Sequence, residues 1–112
     1  MDRLYERGML FDFYGELLTE HQQKIYSEAV FNDMSLSELS EDTGISRQGV
    51  HDLIKRCDKQ LLLYEEKLHL VEKFLRIRKE TENISAIIDK ENIDPEIRKT
   101  LSELLNRIIE EV

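Results

Sequence analysis

The stretch SLSELSEDTGISRQGV, residues 35–50, decides the fold because two helix starts and one helix stop lie within it. Ser35 and Glu38 have the spacing of a capping box, in which each side chain satisfies a backbone amide at a helix start. Gly44 tolerates the left-handed conformation that ends a helix, and Ser46 is a typical N-cap. The stretch therefore predicts a short helix, a tight glycine turn and a second helix that begins at Arg47.

Apolar and small residues on both sides of the turn lie where the two helices of a helix-turn-helix pack together. Ser40 is small at the point where the helices cross, and glycine occupies the turn. The apolar positions are Leu36, Leu39, Ile45, Val50 and Leu53. The spacing predicts a helix-turn-helix, and the alternative is a plain helical hairpin with a glycine stop.

In a helix-turn-helix the second helix enters the major groove of DNA, with its first turns against the base edges. Arg47 suits guanine and Gln48 suits adenine, while basic residues further along reach phosphates. The predicted nucleic-acid-binding residues are Ser46, Arg47, Gln48, His51, Lys55, Arg56 and Lys59. Asp52 would repel phosphates from within this set.

The charge of the whole chain opposes nucleic-acid binding, since 16 basic and 24 acidic residues give a net charge of −8. Such a charge weakens non-specific attraction to phosphates. Between Ser46 and Lys59, however, four basic residues stand against Asp52 and Asp58. A second basic group further along could meet phosphates of DNA or of a structured RNA, and consists of Lys73, Arg76, Arg78 and Lys79.

Two helices are predicted before the motif. Thr19 and Gln22 have the spacing of a capping box, so one of these helices begins at Glu20. Its expected buried stripe consists of Ile25, Ala29 and Val30. The first helix covers residues 3–18, and its apolar face consists of Leu4, Leu10, Phe11, Phe13, Tyr14, Leu17 and Leu18.

After the motif, apolar residues recur at steps of three and four in a heptad pattern. The pattern predicts one long helix, or two nearly collinear helices, packed lengthwise as internal core or as a homodimer interface. Its positions are Val50, Ile54, Cys57, Leu61, Tyr64, Leu68, Val71 and Leu75.

A helical hairpin is predicted at the C-terminus. A weak helical segment covers Thr81 to Asn92, and Asp94 with Pro95 then starts the last helix. We expect the apolar face of that helix to complete the chain's own core, and the alternative is a dock for a partner's helix. This face consists of Ile97, Leu101, Leu104, Leu105, Ile108 and Val112.

Several function classes find no support in the sequence. The lone Cys57 excludes an internal disulfide and fits the reducing cytoplasm. His21, His51 and His69 lack Cys or His neighbours at metal-ligand spacing, and no catalytic triad, paired carboxylates in an apolar pocket or glycine-rich phosphate loop is found. The apolar run Leu61 to Tyr64 is too short for membrane insertion. We therefore expect neither an enzyme nor a cofactor or metal site.

Three stretches of the chain resemble region four of bacterial sigma factors, namely residues 18–23, residues 34–39 and residues 43–47 with Val50. The whole chain, including Tyr14 and Gly15, more closely resembles the YlxM-type family of small helix-turn-helix proteins. Genes of that family usually lie beside those of the signal recognition particle, so the resemblance implies a regulatory or accessory role in that pathway. Gly49 departs from the sigma pattern, which has a base-contacting basic residue at that position.

The sequence thus predicts a single all-α domain over residues 1–112. It has a helix-turn-helix core at about residues 18–60, without a wing, and a helical extension at about residues 61–112. The first functional hypothesis is a DNA-binding regulator that acts as a homodimer. The alternative is an accessory that binds the signal recognition particle GTPase or its RNA complex and uses the motif as a scaffold.

Overall fold

The computed structural model describes residues 3–112, which form six α-helices and a short 3-10 helix, Gly15–Leu17, with no strand among them. The all-α prediction is confirmed. The helices are α1 (Arg3–Tyr14), α2 (Glu20–Val30), α3 (Leu36–Thr43), α4 (Arg47–Leu68), α5 (Leu70–Lys90) and α6 (Pro95–Glu111).

The chain divides into two compact units, an N-terminal unit that ends at His69 and a C-terminal unit, Leu70–Val112. That these units behave as one domain stays a prediction. In the part of the chain that the structure describes, no helix combines the length and apolar character needed to cross a membrane.

The helix starts of the N-terminal unit follow the capping signals of the sequence. The Thr19 hydroxyl accepts from the Gln22 backbone N–H at 3.1 Å, and the Gln22 side chain accepts from the Thr19 N–H at 3.0 Å. Ser35 and Glu38 make the same reciprocal pair of hydrogen bonds. Both predicted capping boxes are confirmed, and they position α2 and α3 at their first residues.

The core of the N-terminal unit forms where α4 packs against α1, α2 and α3. Burial raises the pKa of the Cys57 thiol to about 11, so this side chain acts as a small apolar filler. The buried side chains are Leu10, Tyr14, Leu18, Ile25, Tyr26, Leu39, Val50, Leu53, Cys57 and Leu61. One side of α4 is therefore committed to the core, which leaves its other side to solvent.

A polar network joins α1, α2 and α4 at the edge of this core. Arg7 donates from Nε and Nη2 to the two oxygens of Asp58, at 3.1 and 2.5 Å, and the Tyr26 hydroxyl donates to Asp58 Oδ1 at 2.6 Å. Burial, together with the hydrogen bond to Asp58, raises the pKa of Tyr26, which stays a neutral donor. Arg7 and Tyr26 thus compensate the carboxylate of Asp58 on the inner side of α4.

The first helix is shorter than the sequence predicts. It ends at Tyr14 and continues as the 3-10 helix. The residues predicted to share one apolar face over residues 3–18 therefore do not all lie on the same side. Leu4 and Leu17 are exposed rather than buried. In α2 only Ile25 of the predicted stripe is fully buried, and its neighbour Tyr26 takes the remaining place in the core.

The heptad pattern does not form one continuous helix. His69 adopts a left-handed conformation (φ 56°) that ends α4 at Leu68, and α5 begins at Leu70. Leu68, a predicted seam position, is exposed. The weak helical segment predicted at Thr81 to Asn92 is the second half of α5, which runs to Lys90.

In the C-terminal unit α5 and α6 pack against each other as a helical hairpin. Pro95 is the first residue of α6, as predicted, but the Asp94 side chain makes no capping hydrogen bond. No residue of α6 is buried. Within the C-terminal unit the apolar face of α6 is therefore only partly covered, and its more exposed half, Ile97, Leu104 and Ile108, has no partner there.

Candidate nucleic-acid interface

The turn between α3 and α4 is held by short-range hydrogen bonds. Gly44 has φ 76°, and its N–H donates to Ser40 O at 3.0 Å. The Thr43 hydroxyl donates to Leu39 O at 2.7 Å and accepts from the Ile45 N–H at 3.2 Å. Glycine is suited to this left-handed position, where a Cβ adds steric cost. The two helices therefore meet at a defined turn, as the motif requires.

The outer side of α4 carries most of the predicted contact residues. Gln48, His51, Lys55 and Lys59 are spaced by three and four residues, so helical geometry places them on one side of α4. All four are exposed or half-buried, while Val50, Leu53 and Cys57 on the other side are buried. We call the set Arg47, Gln48, His51, Lys55 and Lys59 the outer stripe of α4.

The structure places the other two predicted residues beside this stripe. Ser46 is the N-cap of α4, and its hydroxyl accepts from the Gly49 N–H at 3.0 Å. Arg56 is exposed but lies about a quarter turn from Lys55 around the helix. The motif thus brings five of the predicted residues together, with Ser46 at one end and Arg56 at the margin.

Hydrogen bonds within the stripe pre-position two of its members. Arg47 Nη1 donates to Ser37 Oγ of α3 at 3.2 Å, which connects the start of α4 to the preceding helix. Gln48 Nε2 donates to Asp52 Oδ1 at 3.0 Å, and His51 Nδ1 lies 3.7 Å from the same oxygen. If Gln48 reads a base in DNA, its side-chain amide must therefore break the hydrogen bond to Asp52 and form one to the base edge.

The electrostatics of α4 are more favourable to phosphates than its sequence suggests. Lys55, Arg56 and Lys59 are exposed and have no carboxylate within 4 Å among the described residues. Asp58 points inward and is compensated by Arg7. Between Arg47 and Lys59, Asp52 is then the one acidic side chain on the exposed side of α4, so this surface is more basic than the residue count alone implies.

Gly49 has a packing role that the sequence did not reveal. A Cβ at this position would lie 2.7 Å from Ile45 Cγ2 and 3.1 Å from Ser46 Oγ. Because Ile45 is part of the turn, a larger residue would force the turn to shift. The departure from the sigma pattern at Gly49 is thus explained by close packing at the N-terminus of α4.

Gly49→Ala is expected to lower the free energy of unfolding by about 1 kcal/mol, because overpacking costs about 1–3 kcal/mol and helix propensity returns about 1. Gly8→Ala is the matched control. Gly8 lies within α1, and a Cβ at this position would meet only Phe31 Cε1, at 4.0 Å. We expect that control to stabilise by about 0.5–1 kcal/mol. Urea unfolding followed by circular dichroism measures both changes, and equal stabilisation by both would refute the packing role.

The second basic group of the sequence does not form one surface. Arg76 lies 3.4 Å from Glu72 and Arg78 lies 3.3 Å from Glu82, in exposed pairs along α5. Steps of one to three residues distribute this group around the helix. The outer stripe of α4 is therefore the better candidate for contact with nucleic acid.

Comparison with known proteins identifies a family for the whole chain. A family described as "UPF0122: Putative helix-turn-helix protein, YlxM / p13 like" matches residues 1–105. A UPF0122 protein of Clostridium perfringens strain SM101 is 42% identical over 110 residues, which cover 97% of this chain and 98% of the relative. A UPF0122 protein of Thermoanaerobacter sp. strain X514 is 43% identical over 105 residues, with 91% and 90% covered. A UPF0122 protein of Acetivibrio thermocellus is 42% identical over 116 aligned positions, with 98% and 99% covered.

No solved structure matches the chain. The family match and the relatives agree with each other over nearly the full length, and the description of the family as helix-turn-helix fits the turn at Gly44 and the helices on either side of it. The chain belongs to the UPF0122 family of YlxM/p13-like helix-turn-helix proteins.

Proposed function

We propose that this protein is a DNA-binding regulator whose α4 enters the major groove of duplex DNA. The observation that carries the proposal is the outer stripe of α4, whose polar and basic side chains project from the exposed side of the helix. A defined turn holds this helix against α3. Membership of a helix-turn-helix family supports the same use of the motif. The role is one of binding, and no catalytic step is part of it.

Along α4 we expect two kinds of contact, with base edges and with phosphates. Arg47 and Gln48, in the first turn, are placed to read base edges, where a good bidentate contact discriminates by about 1–3 kcal/mol. Lys55, Arg56 and Lys59 have exposed charges that suit phosphates. With these three phosphate contacts, the logarithm of the binding constant should fall against the logarithm of salt concentration with a slope of about −3.

The net charge of −8 makes this a weak non-specific binder. Specific contacts therefore have to supply most of the affinity, and we expect little binding to random duplex at physiological salt. A regulator that occupies only its own sites fits this balance.

The double variant Arg47→Ala with Lys55→Ala tests the proposal. We expect duplex binding, measured by fluorescence anisotropy with DNA from the protein's own operon, to weaken about 100-fold, and the salt slope to become shallower by about 1 to 2. The matched control is Lys90→Ala with Lys99→Ala, which removes the same charge from exposed positions of the C-terminal unit. It should change affinity less than about threefold.

Equal losses of affinity in the two double variants would contradict a groove contact by α4. Binding that is unaffected by Arg47→Ala with Lys55→Ala would remove those residues from the account. Circular dichroism of both variants checks that their helical content is unchanged.

The second candidate function is an accessory that binds the signal recognition particle GTPase or its RNA complex. The net charge of −8 and the exposed Asp52 beside the outer stripe favour a protein partner over DNA. The link to this pathway rests on the resemblance of the whole chain to the YlxM-type family. Co-purification from the native cell tests it, because a protein complex survives nuclease treatment whereas a DNA-dependent complex does not.

A further inference from the structure

The apolar arc of α6 consists of two neighbouring stripes with different surroundings. Leu101, Leu105 and Ile109 are half-buried on the side that packs against α5. Ile97, Leu104 and Ile108 form the adjacent stripe and are 54%, 46% and 45% exposed. Only half of the arc is therefore used within the hairpin.

The exposed stripe continues onto α5. A cleft between the two helices is lined by residues that include Glu82, Asp89 and Asn106 and marks one flank of the hairpin. Since each residue turns the helix by about 100°, the exposed stripe of α6 lies on the opposite flank, and Ile84 and Ile87 of α5 lie there as well.

Both isoleucines are also exposed, at 45% and 60%. We call the set Ile84, Ile87, Ile97, Leu104 and Ile108 the aliphatic face. It lies wholly within the C-terminal unit, and no residue of that unit covers it.

A two-helix hairpin is not expected to leave such a face in water. The buried residues of the C-terminal unit are Val71, Thr81 and Ile88, all from α5. An amphipathic helix normally buries its apolar stripe against a second layer of structure. The hairpin is one layer, so the C-terminal unit by itself does not supply the second layer that would cover the aliphatic face.

We propose that the aliphatic face packs against the same face of a second copy of the chain, which forms a two-fold dimer with a four-helix core. A two-fold interface must be complementary to itself, and a face made only of isoleucine and leucine meets this condition. Charges of both signs border it: helical spacing places Arg76, Glu80 and Glu91 beside it on the α5 side, and Glu103, Arg107 and Glu111 on α6. Two copies can therefore meet without like charges opposed along the whole rim, despite the net charge of −8.

The size of the face fits this occupant. The 17 residues of α6 span about 25 Å, and two packed helices are about 20 Å wide. The flank of the hairpin that carries the aliphatic face thus measures about 500 Å² on each copy, or about 1,000 Å² in the pair with its charged border included, which reaches the lower limit for a specific interface. Helix pairs that meet in this way form the ordinary four-helix bundle.

This interface differs from the one that the heptad pattern suggested. Val50, Cys57 and Leu61, the first half of that seam, are buried in the core of the N-terminal unit and are unavailable to a partner. The inference also stands without DNA binding, although a two-fold dimer would suit the paired half-sites that helix-turn-helix proteins read.

Sedimentation equilibrium of the full chain tests the dimer. We expect the native protein to be dimeric at about 100 μM, and Leu104→Glu with Ile108→Glu to weaken association at least about 100-fold, because each copy places two charges in the apolar interface. Neither residue is buried in the chain itself, so folding should survive, as circular dichroism can verify. Ile87→Lys should weaken the dimer too, since it tests the contribution of α5.

Leu17→Glu is the control, because Leu17 is an exposed leucine of the N-terminal unit, at 57%, and the variant should stay dimeric. A native protein that is monomeric at about 100 μM would overturn the proposal. So would a dimer that is unaffected by Leu104→Glu with Ile108→Glu, since its interface would then lie elsewhere.

Discussion

Asp58→Ala is expected to lower the free energy of unfolding by about 3 kcal/mol, although it removes a single surface-proximal carboxylate. The variant leaves the Arg7 guanidinium without its bidentate partner and the Tyr26 hydroxyl without its acceptor. Both partners are largely shielded from water, with 23% of the Arg7 side chain exposed and Tyr26 fully buried. The removal of one member of such a pair lowers the free energy of unfolding by more than the intact pair contributes to it, because the remaining charge is left uncompensated.

Urea unfolding followed by circular dichroism measures this loss, and Glu82→Ala is the matched control. Glu82 also pairs with an arginine, Arg78, but both side chains are exposed on one helix. We therefore expect the control to change stability by no more than about 0.5 kcal/mol. A loss below about 1 kcal/mol for Asp58→Ala would mean that the network does not join the three helices as described.

Leu39→Ala is expected to lower the free energy of unfolding by about 3–4 kcal/mol and to loosen α3 selectively. Leu39 is fully buried and is the only residue of α3 that is buried. Its truncation leaves a cavity between α3 and α4 that the short helix cannot fill. Since α3 supports the N-terminus of α4, the outer stripe should lose its fixed position.

Two readouts separate this effect from a general loss of stability. Native-state hydrogen exchange should accelerate most in α3, and affinity for duplex DNA should fall although no contact residue has changed. Leu36→Ala, at a half-buried position of the same helix, should have a smaller effect on both. Uniform acceleration of exchange throughout the N-terminal unit would contradict a local role for Leu39.

The parts of the fold that depend on neighbouring residues were predictable from the sequence. Capping boxes at Thr19 and Ser35, the stop at Gly44 and the start at Pro95 all involve side chains within four residues of the backbone they affect. Their signals are therefore complete in a short window. The same holds for the register of α4, which separates buried from exposed positions.

Contacts between distant residues were not predictable. Arg7 and Asp58 are 51 positions apart, and no sequence signal pairs them. The left-handed His69 interrupts an unbroken heptad pattern without a glycine or proline. The exposure of Leu17 and of the outer half of α6 likewise depends on which helices pack together, which periodicity does not specify.

The candidate site shows the same division. Helical spacing alone identified the exposed side of α4, but the inward direction of Asp58 and the close packing at Gly49 required coordinates. Both corrections favour the motif. The first removes an acidic residue from the outer surface, and the second explains the missing basic residue by the geometry of the turn.

The central claim is that the outer stripe of α4 meets duplex DNA, and a nuclear magnetic resonance titration tests it most directly. With isotopically labelled protein and operon DNA, we predict that amide shifts concentrate at residues 46–59 and in the preceding turn, and that high salt reverses them. Shifts that instead appear only in α5 and α6, or no shifts at DNA concentrations that saturate binding, would contradict the claim.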